Sequence, residues 1–170
     1  MAIFNFVKPD KIVLQKATDF EAQFEFRPLE PGYGVTIGNA LRRVLLNSLE
    51  GYAIVGINIA GADHEFATLK GVTEDVTEII LNLKQVRFKA KVDHEVNSEK
   101  VTLSIKNKTE FTAGMIGEAS PAFEVMNPEL LICTLDNSAK LDIEITIGKG
   151  RGYVPAEEHK EKNNHFGYIP

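Results

Sequence analysis

The sequence predicts an α+β fold: a strand pair and a very apolar helix, followed by a mostly antiparallel β domain carrying one amphipathic helix. Three observations carry that expectation. Residues 21–27 alternate apolar and polar, residues 36–50 hold a dense aliphatic helical pattern, and beyond residue 51 alternating segments recur between turn signals with one helical interruption. The 170 residues are 44% hydrophobic and 25% charged, an ordinary globular composition. A chain of this length buries roughly 70% of the surface it exposes when unfolded, enough for a real core.

The elements follow in order. Ala22, Phe24 and Phe26 alternate with polar neighbours, which sets one face of a strand on a core and the other in water. Pro28 ends that strand, and the turn-rich residues 30–34 lead into a helix expected over 36–50, with Gly51 as its left-handed cap. Ile37, Ala40, Leu41, Val44, Leu45, Leu46 and Leu49 cover well over half of its circumference, more than one packed face needs. Such a helix is either central to its own domain or also packs on a partner. Asn39, Arg42, Arg43, Asn47 and Glu50 are what remains polar.

A domain boundary is expected near Gly51, and strand-like sequence resumes at 52–59. A second helix is marked over 73–84. Val76, Ile79, Ile80 and Leu83 fall at i, i+3, i+4 and i+7, with Glu74 and Asp75 at the positive end and Lys84 at the negative end. Further strands are expected at 86–92, 101–105, 130–135 and 141–147, separated by turns at 93–99, 127–128 and 136–138. Residues 148–152 read as a glycine-rich loop and 157–164 as a polar stretch without apolar periodicity. The sequence stops on an apolar run at 166–170 without a cap, as expected of a piece of a longer chain.

Several function classes find little support. Residues 1–9 lack the charged and then apolar regions of a secretory signal, and no window approaches 18 unbroken apolar residues. A cytoplasmic protein without membrane contact is therefore expected. The lone cysteine, Cys133, sits in an apolar run and reads as a buried structural thiol. Asp63, His64 and Glu65 have no second histidine at helical or hairpin spacing, and His94, His159 and His165 are scattered, so no metal site or cofactor is expected. No Gly-x-Ser-x-Gly elbow offers a nucleophile, and no catalytic residue is expected.

Three features admit a sharper reading beside a bland one. Gly32-x-Gly34-x-x-x-Gly38, after a strand and before a helix, suits a phosphate-binding loop by context. Its spacing fits neither the dinucleotide fingerprint nor a P-loop, so a tight turn into a helix is favoured and nucleotide binding is the alternative. Residues 149–155 combine Lys149, Arg151 and Tyr153 with glycines, which could touch nucleic acid, but a net charge of −5 favours a plain loop. Arg42 and Arg43 lie on a helix too apolar to be half in water. That puts them at the edge of a buried surface, where the planar guanidinium is the charged group best suited to an interface.

Three runs together resemble one family. RPLEPGYGVTIGNALRRVLL at 27–46 resembles the dimerisation signature of the bacterial RNA polymerase alpha subunit, GVTEDVTEIILNLK at 71–84 its second helix, and GRGYVPA at 150–156 its glycine-rich loop. FVKP at 6–9 fits as well, and nearly the whole chain is covered. The resemblance implies half of a dimerisation domain over 1–50, and over 51–170 an inserted, mostly antiparallel β domain with one amphipathic helix. It implies a scaffold without catalysis of its own, in which an alpha dimer docks the beta subunit on one protomer and beta-prime on the other. By position it assigns beta binding to Arg43, with Arg42, Asn39, His64 and Glu65 nearby, and beta-prime binding to Lys84. Leu41, Val44, Leu45 and Leu49 would serve dimerisation. The family's later strands, its long partner helix and its C-terminal DNA-binding domain have no counterpart in these 170 residues, so no direct DNA contact is implied.

Overall fold

In a computed structural model, residues 6–18, 21–91, 96–162 and 167–170 are described. The chain divides into two compact units, Met1–Leu49 and Glu50–Pro170.

In the first unit, strand β1 (Lys11–Ala17) pairs antiparallel with β2 (Ala22–Arg27), and helix α1 (Tyr33–Asn47) follows. Helix α1 starts three residues earlier than its pattern suggested. Gly32 takes a left-handed conformation, φ 87°, and the Tyr33 N–H donates to the Glu30 carbonyl at 3.0 Å. The helix also ends sooner, where the Ser48 N–H reaches the Val44 carbonyl at 2.8 Å. Gly51 is therefore no cap; it lies inside the next strand. The face of β2 expected on a core is largely open, with Phe24 62% exposed and Phe26 only partly covered, and no residue of α1 is buried. One strand pair and one helix supply too little second layer to enclose either surface.

The second unit is organised around a sheet in the order β10-β3-β9-β5, every neighbour antiparallel. Strand β3 (Glu50–Ile59) leads through a loop to helix α2 (Val76–Leu83). The helix begins after Asp75, whose carboxylate accepts the Glu78 N–H at 2.8 Å; a capping residue is extended, so residues 73–75 cannot be helical as expected. Strand β4 (Phe88–Ala90) is shorter than the alternation suggested, and Val92 of that run lies outside the described residues. So do 93–95 of the expected turn, while Ser98 and Glu99 open β5 (Ser98–Lys106).

Strand β6 (Glu110–Thr112), helix α3 (Ala113–Ala119), strand β7 (Phe123–Val125) and strand β8 (Leu131–Thr134) come next, with β4 pairing β7 and β6 pairing β8. Strand β9 (Lys140–Arg151) is the spine of the main sheet. It corrects the expected glycine-rich loop: Gly148 opposes Ala53, Gly150 opposes Gly51 and Arg151 opposes Glu50. A short helix α4 (Ala156–Lys162) occupies part of the polar stretch, and β10 (Tyr168–Ile169) takes up part of the apolar run at 166–170. Phe166 and residues 163–165 lie outside the described residues.

The core follows from period two on strands and 3.6 on helices. Leu141, Ile143, Ile145 and Ile147 of β9 point inward while Asp142 and Glu144 are only partly covered. Ile57 and Ile59 of β3, Val101 and Ile105 of β5, and Val76, Ile79 and Leu83 of α2 join the same cluster, with Phe111, Ile116, Phe123 and Ile132. The α+β expectation, with antiparallel pairing throughout, holds.

Candidate protein interface

Helix α1 carries two different faces. Ile37, Leu41, Val44 and Leu45 recur at helical spacing along one side, and Asn39, Arg42, Arg43 and Leu46 fall at i, i+3, i+4 and i+7 along the other. The aliphatic side is open: Leu41 is 55% exposed, Val44 51% and Leu45 61%. Asn39, Arg42 and Arg43 are exposed too, and among the described residues neither arginine makes an ion pair or a side-chain hydrogen bond. Leu49 departs from expectation. It lies in the link beyond Ser48, off the helix, although it is exposed like the others.

In the second unit the chain brings Glu65 and Lys84 to one groove. The Thr77 hydroxyl, in the first turn of α2, donates to the Glu65 carbonyl at 2.8 Å and fixes the incoming loop against the helix. Lys84 stands at the other end of α2, where its N–H caps the Ile80 carbonyl at 3.0 Å and its own carbonyl accepts from Arg87 at 3.1 Å. A cation there complements the helix dipole. Between them runs a groove of about 400 Å³, closed by Glu157 and Lys160 of α4 and by Ile169 and Pro170. Sequence reasoning missed these four walls, because nothing local links 157–170 to α2. His64 is exposed beside Phe66, whose ring centroid lies 6.5 Å away; Phe66, 76% exposed, is the larger apolar feature of that loop.

The remaining candidates lie apart from these two surfaces or outside the described residues. Gly32 and Gly34 frame the start of α1, but that turn carries the Glu30 carboxylate, which accepts the Val7 N–H at 3.1 Å. No lysine follows the glycines to meet a phosphate. Lys149 pairs with Glu50 at 2.8 Å, and the lysine, helped by Arg151, holds the Glu50 carboxyl below the usual range. His159 lies on α4, while His94 and His165 lie outside the described residues. Cys133 is fully buried; desolvation, with the Glu74 charge adding to it, pushes its thiol up to about 12. Among the described residues no group of three or more histidine, cysteine or acidic side chains could hold a metal ion, and no helix is long and apolar enough to cross a membrane.

Comparison with known proteins gives these surfaces a context. The family model described as the RNA polymerase Rpb3/RpoA insert domain matches residues 57–170. The chain is 59% identical over 169 residues to the DNA-directed RNA polymerase subunit alpha of Flavobacterium psychrophilum, covering 99% of this chain and 51% of that protein. It is 59% identical over 170 residues to the corresponding subunit of Cytophaga hutchinsonii, covering 100% and 51%. With that of Prosthecochloris aestuarii it shares 51% identity over 169 residues, covering 98% and 51%. The chain thus spans about half the length of the curated relatives it matches.

Proposed function

This chain belongs to the family of bacterial RNA polymerase alpha subunits, and we propose from that membership that it is a non-catalytic scaffold subunit of the transcribing enzyme. Its work is to hold other subunits together in the cytoplasm. The observation that carries the reading is the two-faced, uncovered helix α1. An aliphatic stripe of Leu41, Val44 and Leu45 suits a second copy of the same helix across a two-fold axis, and Leu49 extends it past the helix end. The opposite stripe, with Asn39, Arg42 and Arg43, suits the beta subunit, because a planar guanidinium sheds water readily and binds carboxylates through two bonds. His64 and Glu65 belong to the same docking role by position in the family.

Lys84 and its groove, lined by both charges and apolar groups, suit the beta-prime subunit. In this reading residues 1–50 are the first half of a dimerisation domain and 51–170 the domain inserted into it. Neither a cofactor nor DNA contact enters the role.

The test is co-purification with beta and beta-prime, using this chain, its Arg43→Ala variant, and a version extended past Pro170 to the length of the relatives. The extended chain should capture both subunits, and Arg43→Ala should lose beta at least tenfold while remaining folded. An undiminished yield of beta on Arg43→Ala would remove the arginine from the interface.

A further inference from the structure

Strand β10 is short for what it does. Among the described residues, Tyr168 and Ile169 pair with β3, opposite Asn58 and Ile57, and this strap keeps Ile169 4% exposed and forms a wall of the groove beside Lys84. Two ladder positions are a weak fastening, since isolated short pairings in water are marginal.

A second fastening comes from a side chain. The β3–β9 register slips between Ile54 and Gly56, so Val55 is the extra residue of a β-bulge and has no cross-strand partner on β9. Its carbonyl accepts the Tyr168 hydroxyl at 3.2 Å. Tyr168 opposes Asn58, and Gly56 lies two residues along β3 on the same face, the diagonal position a long side chain reaches. The Tyr168 ring fills that space so fully that a Cβ on Gly56 would overlap its hydroxyl and ring carbons. Gly56 has an ordinary backbone conformation, so its missing side chain is explained by the ring and not by a turn. Gly167, at φ 76°, supplies the left-handed turn that aims the ring at the notch.

We propose that Tyr168 and Gly56 form a key and its notch, fastening the 167–170 strap on the outer edge of β3 so that it opens and closes as one unit. The bulge at Val55 makes the notch polar at its base, and the ring closes it. When the key leaves, Ile169 and Pro170 leave the groove wall with it, while the β3–β9–β5 sheet stays intact.

Hydrogen exchange on the whole chain, followed by mass spectrometry, reads this directly. Tyr168→Phe loses the hydrogen bond to the Val55 carbonyl and should speed exchange in peptides covering 167–170 and 55–58 by ~5-fold, a typical effect of such a bond. Gly56→Ala should eject the ring and speed the same peptides by more, on the order of 10-fold or above, with peptides in the middle of β9 unchanged. In a Tyr168→Ala background, Gly56→Ala should add nothing, because its clash has gone. The proposal would be overturned by unchanged exchange at the strap in both single variants, or by a uniform rise through β9 showing that the whole unit had loosened. Equal effects of Gly56→Ala with and without the ring would do the same.

Discussion

Glu74 is clamped to Thr134: one carboxylate oxygen accepts the Thr134 backbone N–H at 2.7 Å and the other accepts its hydroxyl at 3.1 Å. The Thr73 N–H adds a bond to the Thr134 carbonyl at 3.0 Å, so the approach to α2 is tied to β8 at three points. Glu74→Ala would leave a part-buried N–H without its acceptor, which costs about 1–3 kcal/mol. A urea melt should show that loss in its midpoint with an unchanged slope. Glu74→Gln, which keeps one acceptor, should lose less.

The thiol of Cys133 gives a pH signature. Its pKa is raised from 9.0 to about 12 in the folded chain, so the fold binds that proton more tightly than the unfolded chain does. The contribution is fully present below pH 9 and is lost as pH climbs from 9 towards 12. Cys133→Ala should flatten that part of the stability profile. At pH 8 the native thiol should resist Ellman's reagent and react only after denaturant is added.

Gly71 holds a turn that a side chain would break. Its φ is 78°, its carbonyl accepts the Asp136 N–H at 2.8 Å, and a Cβ there would come within 2.9 Å of the Ala139 methyl. Gly71→Ala combines left-handed strain with a clash and should lower stability by about 1–3 kcal/mol. Thermal unfolding of the variant, monitored by circular dichroism, reads that loss.

Helix α1 should behave as a surface in search of cover. Its open leucines and valine make an apolar patch that favours association. Sedimentation should report concentration-dependent self-association, and Leu45→Glu should abolish it. Arg43→Ala, which removes no bond to a described residue, should leave the melting transition within about 0.5 kcal/mol of wild type.

How far these features were legible in the sequence depended on whether a local pattern produced them. Helix α2 announced itself through Val76, Ile79 and Leu83 because one stripe of an isolated helix faces the core. Strand β1 did not, since Ile12, Val13 and Leu14 are contiguous and mask the alternation. Helix α3 was hidden by its two glycines, which look like breakers. They are there because Gly114 and Gly117 approach Pro128 and Val125 so closely that a Cβ would sit 3.2 Å from each. Among candidate interface residues, Arg42 and Arg43 stood out together through the apolar helix that carries them, whereas the roles proposed for Arg43 and Lys84 came from the family resemblance and not from a local pattern. The groove beside Lys84 could not be read, because Glu157, Lys160, Ile169 and Pro170 reach it from a distant part of the chain.

The main sheet also sets an order of events during synthesis. Strand β3 emerges early, yet its partner β9 follows it by roughly eighty residues, so at ~5–20 residues per second its isoleucines wait on the order of 4–16 s for cover. Contacts that distant in sequence make folding slow and leave nascent chains prone to aggregate. The isoleucines of β3 therefore stay open until residue 151 has cleared the ribosome, and chaperone binding to that strand is expected to fall at that length while helix α1 remains open.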